Sequence, residues 1–286
     1  MSLSVKRAPS LNDRRQGILP GFGLSMGITV IYLSIMVLIP LISLFFKAAG
    51  INPDSMVKQL LSPRILSAFS VSIRTSVYAA LFDGIFGLLI AWTLVRYNFP
   101  GKKIIDSLID LPFALPTAVA GIALTTLYSQ NGWIGKHLEA LGIKIAYTPL
   151  GISLALAFIG LPFVVRSIQP VLEQCSADVE QAAAVLGAPP WVIFYRVILP
   201  QIIPAIFTGV ALAFSRGLGE YGSIVFISGN MPLKTEIVPL LIMTKLEQFD
   251  YTFASAIAVV FLLISFSIVF MINFFQWYSR RKYGEV

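Results

Sequence analysis

Six apolar stretches, each about the 20 residues that a helix needs to cross hydrocarbon, dominate this chain of 286 residues. They run roughly 24–46, 72–95, 105–128, 150–172, 200–228 and 253–277. A chain in lipid has to satisfy its own backbone N–H and C=O groups, so only helices and closed barrels span. Nothing here alternates with the strand period of two, so each stretch is predicted to be a helix. Pro112 and Pro116 predict a kink or a broken first turn in the third stretch, because proline removes a donor and clashes with the preceding turn. The fifth stretch is long and glycine-rich and is predicted to be the least regular.

Only 12% of the residues are charged and 57% are hydrophobic, where a soluble domain carries about 25% charge. The net charge of +7 does not call for nucleic acid, since the basic residues lie beside the spans. With one cysteine, Cys175, neither an intrachain disulfide nor a Cys-based metal cluster can form. The one histidine, His137, reads as a solvated loop side chain.

Lys6, Arg7, Arg14 and Arg15 precede a first apolar run longer than the core of a cleavable signal. Ala48-Ala49-Gly50 mimics a cleavage site, but the first span is expected to stay. Taking the N-terminus as inside, the inner segments hold twelve basic residues: those four, Arg96, Lys102, Lys103, Arg166, Arg196, Arg280, Arg281 and Lys282. The outer segments hold seven: Lys47, Lys58, Arg64, Lys136, Lys144, Lys234 and Lys245. This excess predicts both termini in the cytoplasm. The chain divides into a cytoplasmic tail 1–23, a six-span domain 24–277 with an inner loop 173–199, and a tail 278–286.

That loop carries its own folding signals. Ser176 is placed as an N-cap, and Asp178 and Glu180 fall in the first turn, where the helix dipole favours anions. Ala182, Ala183 and Ala184 are strong helix formers, Gly187 is placed as a stop, and Pro189-Pro190 opens a second helix. Trp191, Phe194, Val197 and Ile198 recur at helical spacing and make an apolar face. A small-residue helix of this size either lies in a groove of a partner or packs on its own bundle; the pattern alone leaves both open.

Gln181-Ala182-Ala183, then Gly187, then Ile198-Leu199-Pro200 resembles the EAA loop of binding-protein-dependent ABC-importer permeases. In that family the short helix is a coupling helix that docks in a cleft of the ATP-hydrolysing subunit. Gln181 stands where the family has glutamate, with Glu180 as its neighbour. Most of the chain, including "LPFALPTAVAG" (111–121) and "GLGEYGS" (217–223), is similar to the T-type permease family of sulfate/thiosulfate importers; molybdate permeases share part of the pattern. The resemblance implies an all-α, six-helix type I ABC importer permease bundle with a cytoplasmic coupling helix in the bacterial inner membrane. It also implies its partners: a homologous W-type permease, two ATP-binding subunits that hold ATP and Mg, and an external sulfate-binding protein. The expected coupling residues are Glu180, Gln181, Ala182, Ala183, Gly187 and Pro200.

Ionisable residues within spans are functional candidates, because lipid burial of charge is costly. Arg216 and Glu220, four apart on the fifth stretch among Gly217, Gly219 and Gly222, read as an outer gate, a self-neutralising structural pair, or a direct contact for the anion. Arg74 lies near the outer end of the second stretch, able to snorkel. Asp83 sits deeper and needs a partner or water. Asp106 and Asp110 read as a charge-balanced helix start after Lys102 and Lys103. Pro112, Pro116 and Thr117 shape a break of the kind that lines transport paths. Tyr128, Trp133 and Tyr147 read as interface anchors.

"GWIGKH" (132–137) fails the phosphate-binding GxxxxGK[ST] pattern in spacing and final residue, so no cofactor is expected in the chain itself. The leading expectation is a non-catalytic permease subunit for sulfate/thiosulfate, with molybdate or tungstate second. A self-sufficient anion channel or secondary carrier would leave the inner loop unexplained. An intramembrane enzyme would need convergent nucleophile and base residues, which the spans do not show.

Overall fold

The computed structural model describes residues 22–50 and 52–283 and is helical throughout its regular elements. Helix α1 runs Phe22–Ala48, α2 Pro53–Leu60 and α3 Pro63–Arg96. The third apolar stretch is three helices, α4 Lys102–Ile109, α5 Leu111–Ala114 and α6 Thr117–Tyr128. Then follow α7 Gly135–Ala140, α8 Pro149–Gln174, α9 Ala177–Val185, α10 Pro190–Leu218, α11 Ile224–Ile227, α12 Val238–Glu247 and α13 Tyr251–Tyr283. The tail to residue 21 and residues 284–286 lie outside the described residues.

Five helices, α1, α3, α8, α10 and α13, are each long and apolar enough to cross a membrane. The third stretch reaches that length only as a broken series, as its prolines predict. Pro112 enters the first turn of α5, Leu115 is extended, and Pro116 caps α6. A second correction concerns the start of α3, which begins at Pro63 rather than near residue 72. The expected loop 47–69 thus holds α2 and the first turns of a span.

α3, α8 and α10 pack on one another as the centre of the bundle. Small residues on α3 make the close approach possible: Ala68, Ser72, Ser76, Ala79, Ala80, Gly87 and Ala91 are all buried. A Cβ on Gly87 would stand 2.7 Å from a Val164 methyl, and one on Gly209 2.7 Å from the Val164 Cα. α13 packs on α1, α10 and α12. α1 itself has its side chains outward along nearly its whole length, Ala48 alone being buried.

π turns at Ser34–Leu38 and Phe194–Ile198 share a cause. Each is followed two residues later by a proline, Pro40 and Pro200. A proline offers no N–H to the carbonyl four residues before it, and a widened turn carries the helix past the gap.

Candidate functional site

At one end of the bundle, α9 and the first turns of α10 form a helix, a tight turn and a helix. The Ser176 hydroxyl accepts from the Asp178 N–H, closing the first turn. Gly187, at φ +83°, makes the stop. Its N–H donates to the Ala184 carbonyl and the Ala188 N–H to the Ala183 carbonyl, the paired closure that favours glycine at this position. No residue of α9 is buried. Gln181 and Ala182 are exposed and Ala183 half-buried, while Val185 and Leu186 are 88% and 87% exposed. Trp191 is also exposed, so the expected apolar face of the second helix turns inward only at Phe194, Val197 and Ile198. Pro200 is exposed just beyond the π turn.

Two ion clusters brace this end. Glu180 accepts from Arg96, the last residue of α3. Arg166 of α8 donates to Asp106 Oδ1 at 2.6 Å and to both oxygens of Asp110 at 3.0 and 2.7 Å, and also reaches Gln169 at 2.7 Å. Asp106 and Asp110 therefore serve as a two-carboxylate clamp on Arg166, not as counter-charges for Lys102 and Lys103. Their spacing of four, which presents two carboxylates to one side, was the signal that a shared cation should be sought. This clamp ties the broken third stretch to α8. Burial pushes the Cys175 thiol above its ordinary range, with Arg96 opposing and Glu180 adding to the effect.

Toward the opposite end, about 24 Å along the helix from Pro200, Arg216 pairs with Glu220 at 2.7 Å. Glu220 is not on the span: α10 stops at Leu218 and Gly219 caps it. The carboxylate, 2% exposed, also accepts from the Ser223 N–H at 3.0 Å and the Ser223 hydroxyl at 3.1 Å. Ser223, fully buried, carried no signal in the sequence. The loop 219–223 lies against the start of α6. A Cβ on Gly222 would stand 2.2 Å from Thr117 Oγ1, and one on Gly121 2.4 Å from the Ser223 carbonyl oxygen. The two interrupted helices, broken at Pro112–Thr117 and at Leu218–Ser223, thus meet backbone to backbone. The Arg216–Glu220 pair, expected from its spacing, is thereby set beside Pro116–Thr117, which the sequence positions did not reveal.

Asp83 and Arg74 lie on α3, outside the two interrupted helices. Asp83 is 1% exposed, both carboxyl oxygens lack a hydrogen-bond partner, and a Cβ on Gly160 would stand 2.2 Å from Oδ2. It borders an apolar cavity of about 630 Å³ between α3, α6 and α8, lined also by Tyr78, Phe82, Leu124, Tyr128, Ser153 and Phe158. Arg74 is exposed, about 33 Å along α3 from Arg96. Beyond it, Arg64 grips Glu236 with two hydrogen bonds of 2.8 and 2.6 Å, a buried carboxylate that the sequence did not single out. His137 is exposed, and no group of His, Cys, Asp and Glu suited to a metal ion occurs among the described residues.

The family model for the binding-protein-dependent transport system inner membrane component matches residues 83–284. The chain belongs to this family. The match includes the exposed α9 loop and the junction between the interrupted helices, so both are built on the family's own stretch of sequence. Relatives of this transport component extend the likeness to nearly the full chain. The sulfate transport system permease protein CysT of Escherichia coli (strain K12) is 46% identical over 277 residues, 96% of this chain and 99% of that one. That of Synechococcus elongatus (strain ATCC 33912 / PCC 7942 / FACHB-805) is 48% identical over 256 residues, 90% of this chain and 92% of its own. Among solved structures, a chain of a bacterial ABC transporter involved in import of the acidic polysaccharide alginate superposes with a TM-score of 0.74 at 18% identity. It covers 90% of this chain and 95% of that one, which establishes the importer-permease fold. The protein is thus a translocation component and a multi-pass inner-membrane protein.

Proposed function

We propose that this chain is the membrane-spanning permease subunit of an ATP-driven importer that carries sulfate, and thiosulfate with it, into the cytoplasm. The near end-to-end likeness to sulfate permeases supports the substrate. One geometric observation carries the mechanism: no residue of the short helix Ala177–Val185 is buried, and Val185 and Leu186 are bare at its end. An exposed apolar rod of small residues is suited to a cleft in another subunit. Partner ATPases bind ATP and Mg, and their closure displaces α9. Pro200 and its π turn pass that displacement into α10.

In the same reading both termini and α9 face the cytoplasm, and the Arg216–Glu220 junction faces outward. The pair seals the path between the interrupted helices and parts when the bundle rocks. Arg216 is then free for the dianion, while Glu220 keeps its Ser223 hydrogen bonds. A permease must release its ion, so a pair that competes with the substrate for one arginine serves better than a tight cage. Arg74 offers the anion a second positive charge on its way. Asp83, Pro112, Pro116 and Thr117 shape the path without holding the substrate. An external binding protein delivers the anion, and a homologous second permease completes the pore. A fold neighbour supports delivery by a binding protein: a solved alginate transporter is in complex with its alginate pentasaccharide-bound periplasmic protein.

Reconstitution in liposomes with the second permease, the ATPase subunits and the binding protein tests the reading. Sulfate accumulation that requires ATP and every component is expected; uphill accumulation by this chain alone would overturn it. Molybdate competing better than thiosulfate would reassign the substrate.

A further inference from the structure

α9 is joined to the rest of the molecule mainly through its two short linkers, residues 175–176 and 186–189. One side-chain link runs from it to a membrane span. Arg96, at the last position of α3, donates to Oε1 of Glu180 in the first turn of α9. The two side chains are only 20% and 25% exposed, so water competes weakly for either. The Arg96 guanidinium also lies over the Trp92 ring, 5.4 Å from its centroid. Trp92 in turn meets Phe194 edge-on at 5.3 Å, at the start of the π turn in α10. A continuous path of polar and aromatic contacts therefore joins α9, the end of α3 and the yielding turn of α10. The chain's one cysteine, Cys175, is buried beside it, within the electrostatic reach of both Arg96 and Glu180.

We propose that Arg96 is the positioning residue that makes α9 and α3 move as one body, so that displacement of the coupling helix reaches α3 directly as well as α10. The inference rests on the reading that α9 docks on an ATPase subunit. Without the link, a push on α9 is absorbed by the linkers at Cys175–Ser176 and Leu186–Pro189. With it, the push arrives at the end of a helix that packs along α8 and α10 and carries Asp83 and Arg74. A charge-assisted contact shielded on both sides is short and directional, as transmission of a displacement requires. The arginine head also matters in shape: a planar guanidinium can lie flat on Trp92 while donating in its plane to Glu180, which a lysine cannot do in the same way.

The test uses the complete complex in liposomes, comparing native chain, Arg96→Gln, and the double variant Arg96→Glu with Glu180→Arg. Three quantities are measured: sulfate accumulated per ATP hydrolysed, recovery of the assembled complex, and the rate of Cys175 alkylation by a maleimide. In Arg96→Gln, transport per ATP is expected to fall about tenfold in a complex recovered normally, and Cys175 to be alkylated several-fold faster as its cover loosens, against the slowing that loss of the nearby cation alone would bring. The double variant restores the ion pair in reverse and is expected to recover most of both losses. Normal transport per ATP in Arg96→Gln overturns the proposal. So does a loss of assembly, or of coupling, that the double variant fails to restore, since the residue then serves folding alone. The docking reading is checked separately by cross-linking Ala182→Cys, in a Cys175→Ser background, to the ATPase subunit. Absence of that cross-link removes the docking and the proposal with it. A cross-link together with unaltered coupling in Arg96→Gln removes only the role of Arg96.

Discussion

Glu220 receives an arginine on one oxygen and two Ser223 donors on the other, at 2% exposure. Replacing it with lysine puts two cations in contact and leaves the Ser223 N–H without its acceptor, a loss of about 1–3 kcal/mol. Sulfate uptake by Glu220→Lys is expected to fall at least tenfold, while ATPase association, read by co-purification, persists. Uptake equal to the native complex would remove the gate from the mechanism. Gly121 is constrained differently, since its missing Cβ would collide with the Ser223 backbone and not with a side chain that can swing away. Gly121→Ala should lower the thermal midpoint of the detergent-solubilised protein, by a cost of about 1–3 kcal/mol. Cys175 gives a pH-dependent observable. Burial disfavours its thiolate, so its proton leaves at higher pH than from an ordinary thiol. At pH 8 its maleimide reaction should be slower than that of an exposed cysteine, with the half-maximal rate reached at higher pH. Equal rates at pH 8 would contradict the burial.

Among the elements, α9 was the most legible in the sequence because every signal that shapes it is local. Ser176, Gly187 and Pro189-Pro190 act within a few residues, and the structure places each as cap, stop and opener. The broken third stretch was legible for the same reason, two prolines sufficing. The Arg166 clamp was not, since it joins residues 56 and 60 apart and depends on how α4 meets α8. The exit of Glu220 from its helix was legible only in part: the glycines around it predict an irregular stretch, but the place of the stop at Leu218 and the packing of the following loop on Thr117 and Gly121 are not written locally. Gly187 offers the sharpest element-level test. Nothing lies within 4 Å of where its Cβ would be, so a substitution meets strain in its φ of +83° and not a clash. Gly187→Val costs about 1–2 kcal/mol locally and should spoil the end of α9. Transport per ATP is then expected to drop while membrane insertion is kept, with Gly187→Asn milder because asparagine tolerates that conformation. Full coupling in the valine variant would argue against docking by this end.

At the scale of the whole molecule, the proposed orientation makes a separate forecast. Reporter fusions at either terminus should show activity only for cytoplasmic reporters, and a fusion within 130–147 should behave oppositely. Matching signals from a terminus and that loop would reverse or dismantle the topology. The all-helical membrane class followed from the apolar runs, and the permease bundle from the family resemblance. The pairing Arg64–Glu236 did not, because a residue in the first turn of α3 and one in a loop 172 positions away share no pattern in the chain. α1 adds a different kind of consequence. Over Phe22–Ala48 it shows its flanks outward in almost every direction. In hydrocarbon such a face needs no protein cover, so beyond its contact with α13 no hydrophobic force holds α1 to the bundle, and lipid or a companion's span can serve equally as its neighbour.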